Sequence, residues 1–192
     1  MTDLASLCVF CGSSAHEAHI EASRRLGRLA AERGVEIVFG GGRVGLMGAV
    51  AEAALQAGGR VYGVIPEFLQ RLEVQYDAIT ELVVVDSMHT RKRAMFERAD
   101  AFCVLPGGFG TLDETIEIVT WRQLGLHDKP IFLLNLDGFW DPFVALIHHQ
   151  VEAGYVRPDN LALITVLDSV EAVFEAAAAA PPPRSGDRSE RA

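Results

Sequence analysis

Short runs of Val, Ile, Leu and Phe alternate along most of the chain with longer segments whose apolar residues recur every three to four positions. The runs predict strands at Leu4–Cys11, Val35–Phe39, Arg60–Ile65, Leu82–Val85, Ala101–Leu105, Pro130–Leu134 and Ala162–Thr165. The periodic segments predict helices over Ala18–Glu32, Leu46–Ala57, Met88–Arg98, Thr111–Leu124, Pro142–Glu152 and Val170–Ala179. The strand segments are nearly continuous in apolar residues, so both of their faces must be covered. Such strands, separated by helices, form an open, doubly wound parallel sheet: an α/β, Rossmann-like single domain over residues 1–180. Ligands of these sheets lie beyond the carboxyl ends of the strands, near the point where strand order reverses.

Two stretches break the pattern. Pro66 to Thr80 is more charged and has no period, as expected of a lid or substrate wall over a strand end. The alanine run ending at Ala180 leads into Pro181-Pro-Pro-Arg-Ser-Gly-Asp-Arg-Ser-Glu-Arg-Ala192, whose composition predicts a disordered tail over 181–192.

Composition narrows the function. The chain has 192 residues, 49% of them hydrophobic, enough for a sizeable core without metal or disulfides. Its formal net charge of −9 excludes the broad basic field that draws proteins onto nucleic acids or anionic membranes. Any phosphate must be held locally, by backbone N–H groups and a few placed cations. The opening Met1-Thr-Asp-Leu-Ala-Ser lacks the marks of a secretory leader, and no apolar run approaches the roughly 20 residues of a spanning helix. Three cysteines, an odd number, are expected to be reduced, which points to a cytoplasmic protein. Cys8 and Cys11 form a C-x-x-C, but on a strand their side chains face opposite ways, unlike redox pairs at a helix start.

Two glycine-rich turns follow predicted strands. In the first, Gly40, Gly42 and Gly45 satisfy G-x-G-x-x-G, with Glu67 some way downstream, the outline of a dinucleotide fingerprint. Five glycines within Gly40–Gly48 satisfy many patterns, and a whole strand and helix precede them, so a tight turn that lets the backbone pass close to a ligand is the preferred reading. The second turn, Leu105-Pro-Gly-Gly-Phe-Gly-Thr-Leu-Asp-Glu114, opens a helix. Its glycines let N–H groups converge on an anion at the positive end of the helix dipole. No Gly-Lys-Ser/Thr occurs, so it is not an ATPase loop. Thr111-Leu-Asp-Glu114 also reads as a capping box, leaving Glu114 as either cap or catalyst. A carboxylate beside a phosphate loop is repelled by its ligand, a cost with no gain for a mere cap, which favours chemistry.

Before that loop, Ser87-Met-His-Thr-Arg-Lys-Arg-Ala-Met-Phe-Glu-Arg98 predicts a basic helix in which Arg93 can pair with Glu97. Such a helix can be a solvated face, or it can aim Arg91 into the crevice, where a guanidinium suits phosphate or carboxylate. His16-x-x-His19 has no companion ligand cluster and reads as surface, and His148 and His149 cannot share a helical face. Trp121 and Leu124 read as packing or dimer contacts.

Met88-His-Thr-Arg-Lys92, Pro106-Gly-Gly-Phe-Gly-Thr-Leu-Asp-Glu114 and Thr120-Trp-Arg-Gln-Leu-Gly-Leu-His-Asp-Lys-Pro130 closely resemble the Lonely Guy family. Phe10-Cys-Gly-Ser-Ser14 and the first glycine turn fit as well, so the resemblance runs from about Leu4 to Leu167. It implies hydrolysis of cytokinin riboside 5′-monophosphates, and of AMP, to free base and ribose 5-phosphate. The catalytic residues implied are Arg91 and Glu114. Implied substrate and phosphate contacts are Lys92, the run Gly107, Gly108, Phe109, Gly110, Thr111, Leu112 and Asp113, then Thr120, Glu73, Gly12, Ser13, Gly41 and Gly42. It further implies a homodimer with a nucleotide substrate and no cofactor, metal, nucleic-acid or membrane partner. Relatives have carried the label lysine decarboxylase, but the two lysines, Lys92 and Lys129, lie in no pyridoxal-phosphate signature. A different class of reading is a non-catalytic nucleotide or molybdenum-cofactor carrier of the same fold, which would need the glycine cradle but not the Arg91–Glu114 pair.

Overall fold

The computed structural model describes residues 4–14 and 16–181. Seven strands form one sheet: β1 (Ser6–Phe10), β2 (Glu36–Phe39), β3 (Val61–Pro66), β4 (Glu81–Val85), β5 (Ala101–Val104), β6 (Ile131–Leu134) and β7 (Thr165–Leu167). Their order is β4-β3-β2-β1-β5-β6-β7, with every pair parallel. The connecting helices are α1 (Glu17–Glu32), α2 (Gly45–Gln56), α3 (Met88–Arg98), α4 (Phe109–Gln123), α5 (Asp141–Glu152) and α6 (Val170–Ala179). The doubly wound Rossmann-like sheet expected from the hydrophobic runs is thus present.

Alternate residues of each central strand serve opposite cores, as the period-two geometry of a strand demands. Leu7, Val9, Ile37 and Phe39 pack with Leu26 of α1, Val50 of α2 and Val173 of α6. Cys8, Phe10, Val38 and Phe102 pack on the other face with Met95 and Phe96 of α3 and Ile118 of α4. The chain leaves β1 toward β2 and returns from the far edge to place β5 on β1's other side, with Phe10 level with Val104. Strand order reverses there, so the loops after β1 and β5 splay apart and leave a crevice at the carboxyl ends. At the other end of the sheet Glu36 is gripped by Arg98, at 2.7 and 3.0 Å, and by Arg60 at 3.3 Å.

The structure corrects two local expectations. The predicted strand Ala162–Thr165 is mostly a 3-10 turn, Pro158–Leu163, and the strand itself is Thr165–Leu167. Pro158 suits the first position of a helical turn, and this winds the apolar residues after it out of the sheet. The fourth helix begins at Phe109 with Gly108 as its N-cap, two residues before the capping box predicted. The stretch after β3, expected as a lid or substrate wall, does line the crevice with Leu69 and Glu73 and is tied down: a 3-10 turn covers Glu67–Leu69, Gln75 bridges Gly42, and Tyr76 N–H donates to the Gly41 carbonyl at 3.0 Å. Of the predicted tail, residues 182–192 lie outside the described residues.

Candidate active site

The crevice is made by four segments: the loop after β1, the glycine turn after β2, the segment Leu69–Glu73 and the start of α4. Ser87 caps α3, accepting from Thr90 N–H, and so fixes the register that turns Arg91 inward. Arg91 is 4% exposed. Its Nε donates to the Val64 carbonyl at 3.2 Å, and its Nη2 to the Gly40 carbonyl at 2.9 Å and to Glu73 Oε2 at 3.0 Å. A Cβ on Gly40 would fall 2.0 Å from Nη2, so the glycine is what lets the guanidinium lie against the strand end. Arg91 is therefore a fixed buried cation, not a mobile surface charge.

Across the cavity, Glu114 sits on the second turn of α4 and faces the same space. Among the described residues its carboxylate has no hydrogen bond or ion pair. Its pKa is pushed up to about 7 from the ordinary 4.5: burial is the main cause, Arg91 opposes it, and Glu73 and Asp113 add to it. Such a group titrates near neutrality, as general bases do.

The capping-box reading of Glu114 is overturned by geometry. Thr111 is inside the helix, not at its N-cap, and its side chain folds over Gly107, where a Cβ would meet Oγ1 at 2.1 Å. The N-cap, Gly108, offers no side-chain bond. The first intrahelical bond runs from Leu112 N–H to the Gly108 carbonyl, at 3.0 Å. The amides of Phe109, Gly110 and Thr111 thus have no helical partner and stand at the positive end of the dipole. Unpaired amides so placed can take an anion locally, without the basic patch that an acidic protein lacks.

The first glycine turn does not offer an equivalent seat. Leu46 N–H, at the start of α2, already donates to the Gly12 carbonyl at 3.1 Å, and Gly45 packs directly on Ser13. That turn braces the β1 loop and Arg91, which leaves the dinucleotide fingerprint without its pyrophosphate cradle.

The inner cavity encloses about 190 Å³. Of the residues singled out in the sequence it brings together Gly12, Ser13, Glu73, Arg91, Gly108, Gly110, Thr111 and Glu114. Gly107 faces an adjoining hollow. Gly41 and Gly42 sit behind the wall, where they anchor the segment after β3. Phe109 is 92% exposed, Leu112 packs into the α3–α4 core, and Asp113 is exposed. Lys92 turns away, bound to Asp113 at 3.1 Å and Glu117 at 3.0 Å. Thr120 is exposed and donates to the Ile116 carbonyl. Neither belongs to the cavity of one chain.

Residues missed in the sequence supply the apolar wall: Met47, Leu69, Met88 and Met95. Met88 and Met95 lie three before and four after Arg91, on the same helical face, a spacing that could have found them. His19, expected at the surface, is buried with its ring edge-on to Phe139. Among the described residues no group of three or more His, Cys, Asp or Glu could hold a metal. Trp121 stacks edge-on against Phe96 as packing, while Leu124 is exposed. Cys8 and Cys11 serve opposite cores, and burial pushes both thiols well above their ordinary range.

Solved structures share this fold. A molybdenum cofactor binding protein from Rippkaea orientalis superposes with a TM-score of 0.70, at 21% identity, over 93% of this chain and 98% of its own. DNA processing protein A from Streptococcus pneumoniae gives 0.57 at 18% identity, over 90% of this chain and 61% of that one. At these identities only architecture is shared. Sequence comparison is sharper. A family model described as "Possible lysine decarboxylase" matches residues 47–177. The probable cytokinin riboside 5′-monophosphate phosphoribohydrolase LOGL1 of Oryza sativa subsp. japonica is 45% identical over 155 residues, 80% of this chain and 70% of that protein. Cytokinin riboside 5′-monophosphate phosphoribohydrolase LOG7 of Arabidopsis thaliana is 46% identical over 154 residues, 79% of this chain and 71% of that protein. Identity at that level across four fifths of the chain, together with the arginine and glutamate that face each other in its crevice, establishes that this chain belongs to the Lonely Guy (LOG) family.

Proposed function

We propose that the protein hydrolyses the N-glycosidic bond of cytokinin riboside 5′-monophosphates, and of AMP, yielding free base and ribose 5-phosphate. The observation that carries this reading is the unbonded Glu114 carboxylate, facing the cavity one turn along from unpaired amides at the start of α4. The 5′-phosphate docks on those amides. That remote binding aligns the ribose so that its anomeric carbon meets the carboxylate. As the bond to the base lengthens, the sugar gains oxocarbenium character, which the Glu114 charge stabilises. Glu114 then takes a proton from the attacking water, whose oxygen bonds to the anomeric carbon as the base departs with the bonding electron pair; the base picks up a proton from solvent, and Glu114 releases its own to solvent. Arg91, held by two carbonyls and Glu73, keeps Glu114 partly ionised at neutral pH despite its burial.

The decarboxylase label does not fit the residues. Pyridoxal phosphate is held by a lysine. Lys92 is paired with acidic residues of α4, and Lys129 Nζ donates to the Phe96 carbonyl, so neither reaches the cavity.

The working form in this reading is a cytoplasmic homodimer. Ile116, Thr120 and Leu124 form an exposed stripe along α4, suited to a second copy, and would put Thr120 at the interface. No helix among the described residues is long and apolar enough to cross a membrane, and all three cysteines are free. The test is to incubate the protein with isopentenyladenosine monophosphate or AMP and follow base and ribose 5-phosphate. Tight binding without base release would favour the carrier instead, and sedimentation reads the oligomer.

A further inference from the structure

The run Thr120 to Pro130 is one of the segments that carry the family resemblance, yet none of its residues lines the cavity of Arg91 and Glu114. It encloses Phe96 instead, a buried residue of α3, the helix that carries Arg91. Trp121 of α4 meets the Phe96 ring edge-on with centroids 4.9 Å apart, and His127 does so at 5.1 Å. The Lys129 ammonium lies 4.1 Å from the centroid of the same ring. Phe102 of β5 stacks on it at 5.9 Å.

Hydrogen bonds turn this packing into a bridge. His127 Nδ1 accepts from Lys129 N–H at 3.1 Å, so the proton sits on Nε2, which donates to the Ile118 carbonyl of α4 at 2.8 Å. Lys129 Nζ donates to the Phe96 carbonyl at 2.7 Å. The last helical amide of α3, that of Ala99, reaches only Met95, so the Phe96 carbonyl belongs to the unpaired, negative end of that helix, where a cation is favoured. The three residues His127 to Lys129 thus bind α4 at one end and α3 at the other. Arg91 and Glu114 sit on these two helices, and among the described residues they share no hydrogen bond or ion pair. Their separation is therefore set by how α3 lies against α4. A second tie, from Lys92 to Asp113 and Glu117, is open to water at Asp113, whereas Phe96 and His127 are buried.

We propose that Lys129 and His127 are positioning residues for the hydrolysis: from outside the site they clamp α3 to α4 and so hold Arg91 across the cavity from Glu114. The inference rests on the reading of Arg91 and Glu114 as the working pair. The charges around Glu114 give it a measurable signature. Burial pushes the Glu114 carboxyl up to about 7, Arg91 and Lys92 oppose that rise, and Glu73 and Asp113 add to it. Both opposing cations ride on α3, while Asp113 rides on α4 with Glu114 itself. An α3 released from α4 carries both cations away, so the carboxyl must titrate at higher pH and be less ionised at neutrality.

The test compares wild-type protein with Lys129→Met, which keeps the apolar stem but no donor, and Lys129→Arg, which keeps donor and charge. Steady-state kinetics with AMP give kcat and KM, and ¹³C NMR of the free proteins follows the Glu114 carboxyl through its titration. Lys129→Met is expected to lower kcat about fivefold or more, with KM within about twofold, through a misplaced and less ionised carboxylate. The Glu114 midpoint should rise by about 0.5 pH or more, and Lys129→Arg should restore most of both effects. A smaller folded fraction alone would lower the rate and leave the midpoint in place; that result overturns the proposal, as does wild-type kcat in folded Lys129→Met. Should Lys129→Met not fold, His127→Gln, which keeps a donor for the Ile118 carbonyl but lacks an acceptor at the Nδ1 position, is read in its place with the same expectations. A raised midpoint in Lys129→Met when even wild-type protein releases no base would keep the clamp and refute the hydrolase. Base release with kcat and midpoint unchanged in Lys129→Met would keep the hydrolase and refute the clamp.

Discussion

Replacing Glu114 with glutamine should stabilise the protein at alkaline pH while abolishing its turnover. Burial holds the Glu114 pKa at about 7 in the folded chain, against 4.5 ordinarily. A raised carboxyl pKa means the folded state binds this proton more tightly than the unfolded state. Its stabilising contribution is complete below pH 4.5 and is lost as pH rises through about 7. Each tenfold change in proton affinity is worth about 1.4 kcal/mol, so ionising Glu114 costs the native state about 3 kcal/mol by pH 8.5. Glutamine keeps the shape and never ionises. Urea unfolding of both proteins from pH 4.5 to 8.5 should show near-equal stability at the acid end and a variant more stable by about 3 kcal/mol at the alkaline end. Other titrating groups are common to both and largely cancel in the difference. Turnover should fall about a hundredfold or more, with nucleotide binding retained. A stability difference that stays flat across this range would refute the claim that Glu114 is held desolvated and unpaired. Unchanged turnover would refute its catalytic role.

Three other outcomes follow from the same geometry. In wild-type protein kcat/KM should rise with pH around an apparent midpoint near 7, because both roles of Glu114 need its charge; a fall through that range in the rate profile would make it an acid. Gly40→Ala puts a Cβ 2.0 Å from the Arg91 guanidinium and should cut kcat about tenfold or more with circular dichroism unchanged; an active, folded variant would show that the placement of Arg91 is unimportant. Glu36→Gln should cost about 1–3 kcal/mol at neutral pH. Hydrogen bonds from Arg98 hold the Glu36 carboxyl below its ordinary 4.5, so this difference should fade as pH drops below that value, and a penalty persisting into acid would argue against it.

The sheet and its crevice were legible because both depend on local pattern. Continuous apolar runs demand two-sided burial, and the alternation of strands with helices then leaves few topologies. The glycines at Gly107 and Gly108 were equally plain as an anion-facing turn, but the helix start beside them was not. A capping-box rule looks for a side-chain oxygen at the N-cap, and Thr111 satisfied it. With glycine at Gly108 the helix could begin earlier, which moved Thr111 inside and left the first-turn amides open. Contacts between distant segments were invisible for a different reason. Gly40 and Arg91 are 51 residues apart, and Glu73 lies in a stretch with no period to place it. Lys92 is adjacent to Arg91 in sequence, yet about 100° further round the helix, so one faces the cavity while the other faces the acids of α4.

These particulars share one physical logic. The core is well satisfied: among the described residues only the Trp140 indole N–H is fully buried without a partner. The incomplete electrostatics gather instead at the switch point between β1 and β5. A carboxylate is kept there without a hydrogen bond, and helix amides without acceptors. Each unmet group lowers stability, so their concentration in one crevice is explained by a ligand that completes them together. A phosphorylated ribose does so in one molecule, because its anionic end meets the donors while its anomeric carbon, cationic only in the transition state, meets the carboxylate. The mismatch that destabilises the empty fold is thus relieved partly on binding and fully only as the glycosidic bond breaks, which is the condition for binding energy to become rate.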